Sequence, residues 1–244
     1  MGEINVNILI LQHSRKDTAG LLQQFLDEDG HRYDILCVDE TTEFPSLDKY
    51  NALWVMGGAA NAWQEEDYPF LMAEKELIKT AVKDKGLAYL GICLGHQLLA
   101  DALGGKVEPS EHPEIGLCRV QQTEMGATGI FLDDFPDEFD VVQWHASEVK
   151  TMPAGAQCLA TSPDCAVQAM RWGNRAYSTQ FHFEIGQEEM AFWMSLPSMQ
   201  TAFEGAGGAE GQQRFLSAFN GNETTLKQQA ERLYMNWLQI AARS

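Results

Sequence analysis

Apolar and polar residues change places in blocks along the first hundred positions. Ile4–Leu11 is a near-continuous apolar run, the pattern of a parallel strand covered on both faces. Ala19–Asp29 then sets Leu21, Leu22, Phe25 and Leu26 on one helical face, with Gly30 past its end. Tyr33–Val38 and Ala52–Met56 are short strand candidates, and the second runs straight into Gly57-Gly58. Pro69–Lys85 predicts a helix whose apolar face is Phe70, Ala73, Leu77 and Ala81, with Pro69 suited to its first turn and Gly86 to its end. Leu87–Ile92 is again a short apolar run, and from Leu94 the spacing turns helical through Leu98, Leu99, Ala102 and Leu103. Strands alternating with helices predict right-handed crossovers and a mainly parallel sheet between helical layers. In such a sheet the ligand site lies beyond the carboxyl ends of the strands, where Gly57-Gly58 and the residues after Ile92 fall.

After Gly105 the texture changes. Gly116–Thr123 and Val141–Trp144 are short strand candidates separated by an acidic loop. Gln157–Thr161, Ala166–Arg171 and Ala176–Phe183 read as a meander, with turns at Ser162-Pro163-Asp164 and Gly173-Asn174. Glu188–Phe203 is expected to be helical and broken or kinked at Pro197, and Gly205–Gly211 reads as a flexible connector. Leu226, Ala230, Leu233, Trp237 and Ile240 form a last helical stripe, capped by Thr224 or Thr225. The expected organisation is one domain over 1–187 and a C-terminal helical extension, 188–244, packed on it.

Composition narrows the function classes. A formal charge of −18 over 244 residues argues against nucleic acid and anionic membrane surfaces, both of which need a basic footprint. No run of about 18 apolar residues occurs, so no transmembrane helix is expected. The start MGEINVNILIL carries an acid where a secretory signal carries a base, and Val6 stands where a myristoylation signal needs Ser or Thr. Cys37, Cys93, Cys118, Cys158 and Cys165 are scattered, with no C-x-x-C pair, which predicts neither disulfides nor zinc. A cytoplasmic protein without metal or cofactor is the expectation.

One cysteine stands apart. Gly91-Ile92-Cys93-Leu94-Gly95 places Cys93 at the corner where a strand becomes a helix, the frame of a nucleophile elbow. Glycines on both sides remove side chains that would collide there. A helix N-terminus favours thiolate over thiol, and its free N–H groups can receive an oxyanion. A cysteine nucleophile also needs a base and a group to orient that base. His182 in Gln180-Phe181-His182-Phe183-Glu184 ends a strand, and Glu184, two residues on, shares its face.

GGAAN at Gly57–Asn61, GICLGHQLLADALGG at Gly91–Gly105, QWH at Gln143–His145 and QFHFE at Gln180–Glu184 occur in the order and approximate spacing of class I, triad-type glutamine amidotransferases. The chain most resembles stand-alone relatives of the glutamine amidotransferase domain of GMP synthase, over roughly Ile4 to Glu184. The resemblance implies a flavodoxin-like α/β fold and hydrolysis of the glutamine side-chain amide through a γ-glutamyl thioester. By position, Cys93 resembles the nucleophile, His182 the general base and acid, and Glu184 its orienting carboxylate. The N–H groups of Gly58 and Leu94 resemble the oxyanion hole. Gly57, Gln97, Trp144 and His145 resemble the substrate-binding positions, the last two in a loop over Trp144–Ser147. Phe183 and Ala59 stand where the family usually has prolines, and the glycine and aspartate common after His145 are missing.

The other histidines have plainer expectations. His96 is read as a packed helix residue, His13 as a surface residue at a strand end that could instead approach the site, and His31 and His112 as solvated. His145 stays open between substrate contact and structure. The remaining cysteines are read as core. The leading functional expectation is a glutaminase that supplies ammonia to a separate synthetase. A stand-alone γ-glutamyl peptidase is the alternative, an orphan glutaminase a third, and a redox or binding module that uses the elbow cysteine without catalysis a fourth. No Gly-rich phosphate loop followed by Lys-Ser/Thr is present in these 244 residues, which is compatible with both of the first two readings.

Overall fold

The computed structural model of the protein describes residues 6–41 and 43–243. In chain order the elements are β1 (Asn7–Gln12), α1 (Gly20–Glu28), β2 (Arg32–Cys37), β3 (Ala52–Val55), α2 (Phe70–Lys79), β4 (Ala88–Ile92) and α3 (Leu94–Ala102). They continue with β5 (Lys106–Gln122), α4 (Glu124–Ala127), β6 (Glu138–Thr151), β7 (Ala156–Thr161), β8 (Ala169–Trp172) and β9 (Ala176–Thr179). Three helices close the chain: α5 (Gln187–Ser195), α6 (Pro197–Gly205) and α7 (Gly208–Ala241). All nine strands join one sheet in the order β2-β1-β3-β4-β9-β8-β7-β5-β6. The first five run parallel, and the rest continue antiparallel from β9 outward. This is the flavodoxin-like arrangement expected, with an antiparallel wing.

Two cores follow from the period-two alternation of the parallel strands. Ile8, Ile10, Trp54, Leu90 and Ile92 face one layer, filled by Leu22, Phe25 and Leu26 of α1 and by Leu233, Tyr234, Trp237 and Ile240 of α7. Leu9, Leu11, Leu53, Val55 and Tyr89 face the other, filled by Leu71 and Ile78 of α2 and by Leu94, Leu98 and Leu99 of α3. A third cluster joins Val142 of β6 to Met190, Met199, Phe203, Phe215 and Phe219 of the last three helices.

Several expectations change. Residues 4 and 5 of the first strand candidate lie outside the described residues. The fully buried positions of α2 are Leu71, Glu74 and Ile78; of the expected stripe, Phe70 and Leu77 are half-buried against the same core, Ala81 is buried just past α2, and Ala73 is exposed. The strands expected at 116–123 and 141–144 are parts of the two longest in the sheet, β5 and β6, which pair through a register shift between Pro109 and Glu114. Trp144–Ser147 is therefore strand, not loop. Pro197 does divide the helical stretch, opening α6 at its first turn. The connector expected at 205–211 is nearly all helix, because α7 begins at Gly208 and takes Thr224 and Thr225 into its interior. Cys93 and Cys165 are buried, whereas Cys37, Cys118 and Cys158 are only half-buried.

Candidate active site

The elbow forms because nothing but glycine fits beside it. A Cβ on Gly91 would sit 2.6 Å from the carbonyl oxygen of Gly95, and one on Gly95 would collide with the Val55 carbonyl of the neighbouring strand. Between them Cys93 adopts φ +51, ψ −103, a conformation disfavoured for a side-chain-bearing residue. Its N–H bonds the Thr179 carbonyl at 2.8 Å, tying the corner to the end of β9. Leu94 opens α3 directly after it, where backbone N–H groups lack helical partners.

His182 and Glu184 lie just past the end of β9, held by a bridge from the His182 N–H to the Val142 carbonyl of β6. Glu184 meets His182 Nδ1 at 2.6 Å, and the His182 ring and Cys93 line the same cavity, the thiol donating to the Trp144 carbonyl at 3.8 Å. With Nδ1 committed to the carboxylate, Nε2 is the nitrogen left for sulfur. Burial pushes the imidazole towards its neutral form, but the Glu184 carboxylate and Cys93 outweigh that and raise its pKa to about 10. Trp193 of α5 stands edge-on to the His182 ring, with centroids 4.8 Å apart, and also against Trp144 at 5.4 Å.

A cavity of about 260 Å³ opens at this point, lined by Gly57, Gly58, Cys93, Trp144, His182 and Trp193 among others. A Cβ on Gly57 would lie 3.1 Å from His182 Cε1 and 3.6 Å from Cys93 Cβ, so the Gly57-Gly58 loop packs directly on the pair.

The other residues singled out in the sequence sit behind the cavity wall. Gln97 Nε2 donates to the Ser147 carbonyl at 3.0 Å and to Gln180 Oε1 at 3.1 Å. His145 contacts Glu114 at 2.9 Å through Nε2 and the Ser147 carbonyl through Nδ1. Both brace the strand that presents Trp144. His96 is wholly buried against Ser178, and burial lowers its pKa to about 3, so it is a neutral core residue. Two more residues lie close to the Cys93–His182 pair, one of them against the expectation of a surface position. Gln180 reaches Cys93 Sγ at 3.7 Å, and His13 lies buried behind Gly57, not at the surface.

Glu114, His145 and Cys165 could bring three ligand atoms within 4.8 Å of one another, as could Cys37, Asp39 and Glu40. In the first group the carboxylate is already engaged by His145, Gln168 and Ser162, which makes it a hydrogen-bonded brace of the antiparallel wing. Burial pushes the Cys165 thiol strongly upward, away from a ligating thiolate.

The glutamine amidotransferase class-I family matches residues 19–192. The chain belongs to that family. The GMP synthase (glutamine-hydrolysing) of Neisseria gonorrhoeae is 32% identical over 132 residues, 54% of this chain and 24% of that protein. The chain thus matches only about a quarter of the length of such relatives. The glutamine amidotransferase-like protein YfeJ of Salmonella typhimurium is 33% identical over 147 residues, 59% of this chain and 61% of that one. A glutamine amidotransferase crystal structure from Thermotoga maritima superposes with a TM-score of 0.85 at 28% identity, covering 96% of this chain and 99% of that one. The last value matters for architecture, since the likeness continues through α7. Phe183 is buried near Phe181, and Ala59 lines the cavity. No helix among the described residues is long and apolar enough to cross a membrane.

Proposed function

We propose that this amidotransferase hydrolyses a γ-glutamyl amide through a Cys93–His182–Glu184 triad. The observation that carries the reading is the strained Cys93 at the elbow, sharing a cavity wall and the Gly57 packing position with a histidine that Glu184 holds at 2.6 Å. A histidine with a pKa near 10 is protonated at neutral pH and stabilises a thiolate beside it. The thiolate attacks the side-chain carbonyl carbon, and the N–H groups of Gly58 and Leu94 receive the oxyanion. His182 gives its proton to the departing nitrogen, leaving a γ-glutamyl thioester on Cys93. His182, now neutral, takes a proton from water as it attacks, and collapse of the second tetrahedral adduct frees glutamate and restores the thiolate. Gly57 and Trp144 bound the substrate, while Gln97 and His145 support the wall from behind.

Ammonia from glutamine would serve a separate synthetase, a reading supported by the GMP synthase relatives, in which this region is a fraction of a longer chain. The walls contributed by Trp193 and Leu196 favour a second reading, in which the leaving amine is larger than ammonia and the chain acts alone on γ-glutamyl compounds. The test is release of ammonia and glutamate from L-glutamine, and of glutamate from a γ-glutamyl dipeptide, by the purified chain. Turnover confined to glutamine, and feeble without a partner, supports the synthetase reading; efficient dipeptide turnover supports the stand-alone hydrolase. Turnover that survives Cys93→Ala would overturn the mechanism.

A further inference from the structure

A third buried histidine–carboxylate pair, besides His182–Glu184 and His145–Glu114, lies behind the Gly57-Gly58 loop, on the side away from Cys93. His13 follows β1 and is 7% exposed; Glu74, from α2, is wholly buried. His13 Nε2 meets Glu74 Oε2 at 3.2 Å, and Nδ1 meets the Gly57 carbonyl oxygen at 2.9 Å. Both ring nitrogens thus face acceptors, which is satisfied when both carry protons. Burial opposes that charge, but Glu74, the Gly57 carbonyl and Asp17 outweigh it and raise the His13 pKa. The fit is close: a Cβ on Gly58 would lie 2.7 Å from His13 Cβ and Cγ.

The Gly57 carbonyl and the Gly58 N–H belong to one peptide unit. No cis bond occurs among the described residues, so the two groups of that unit point in opposite directions. Fixing the carbonyl on His13 therefore turns the N–H away from His13, towards the side where Cys93 and the cavity lie. An anchor is needed there, because two successive glycines leave the peptide plane free to rotate. We propose that His13 and Glu74 are positioning residues for the oxyanion hole, locking the Gly57–Gly58 peptide with its N–H aimed at the oxyanion formed over Cys93. The inference rests on the triad reading above. It also explains a polar residue in the middle of the buried face of α2: Glu74 holds the ring in register from the far side.

His13→Leu removes both contacts, whereas His13→Asn keeps an amide N–H near the place of Nδ1. In His13→Leu, kcat for a γ-glutamyl amide should fall about 100-fold, the lower end of the loss seen when one oxyanion donor is removed, with KM within about threefold. Alkylation of Cys93 by iodoacetamide, which forms no oxyanion, should stay within about threefold of wild type. His13→Asn should recover most of the kcat. Hydrogen exchange over residues 57–62 should quicken in His13→Leu and return towards wild type in His13→Asn, whatever the turnover. The proposal is overturned by kcat in His13→Leu within threefold of wild type, by equal losses in both variants, by alkylation falling in step with kcat, or by unchanged exchange. A wild-type chain that turns over no γ-glutamyl amide would count against the triad reading instead, and the exchange measurement would still decide whether His13 orders the loop.

Discussion

His182 sits where burial and a carboxylate pull its charge in opposite directions, and the carboxylate prevails. Its pKa, about 10, lies above the ordinary imidazole value of 6.5, so folding takes up a proton between those limits. The stability gained from the charged pair is full below about pH 6.5 and is lost as pH rises through about 10. In Glu184→Gln the largest contribution that raises the pKa is gone, and burial is opposed only by Cys93. The gap in urea midpoint between wild type and Glu184→Gln should therefore be widest near pH 6 and narrow steadily towards pH 10; a constant gap would contradict this account. The same variant should lose about 100-fold or more in kcat, because the tautomer of His182 is no longer fixed. At this scale the proposed set of Cys93, His182 and Glu184 was legible only through several motifs taken together, because a cysteine between glycines and a His-x-Glu pair are each weak patterns alone. The place of His13 was not legible. A histidine after a strand looks like any surface residue, and its partner, Glu74, is 61 positions away. Only packing brings the two to the same peptide.

Among the elements, α3 shows how little freedom the elbow has. Gly95→Ala would drive a methyl group into the Val55 carbonyl, with backbone on both sides. We expect a loss of about 1–3 kcal/mol, read as a lower denaturant midpoint, together with impaired turnover. Helix α7 offers the opposite case. Gly221 lies within it, exposed, with open space where a Cβ would go. Gly221→Ala should stabilise the protein by about 0.5–1 kcal/mol in the same measurement, with turnover unchanged; destabilisation there would count against a continuous α7. These two glycines illustrate why element boundaries were unevenly legible. The parallel strands and their helices carry clear periodicity, and their order could be read directly. The glycines at 205, 207, 208 and 211 resembled a linker, yet Gly211 is needed where a Cβ would meet the Ala206 carbonyl at the start of α7. The length of β5 was hidden for another reason: Pro109 and Pro113 interrupt its pattern, and a shift in pairing at that point accommodates them.

Across the molecule, the C-terminal helices connect the core to the site. The second half of α7 covers one face of the parallel sheet: Trp237 stacks edge-on against Trp54 at 5.1 Å and donates to the Tyr89 carbonyl, and Tyr234 packs on Phe25 of α1. The first half, with α5 and α6, encloses the cluster that sets Trp193 against His182. Removal of 188–244 would leave Trp54, Leu90, Ile92 and Phe25 without their cover and would remove a cavity wall as well. A chain ending at residue 187 should therefore fail to fold cooperatively, with weak near-ultraviolet circular dichroism and strong binding of a hydrophobic dye. Trp237→Ala in the full chain isolates the packing term from the loss of the segment. Because that ring is fully buried, the substitution should lower stability by about 3–5 kcal/mol while leaving Cys93 open to alkylation under native conditions. A soluble 1–187 chain with a sharp unfolding transition would show instead that the sheet is stable without α7, and that the last helices serve the cavity alone.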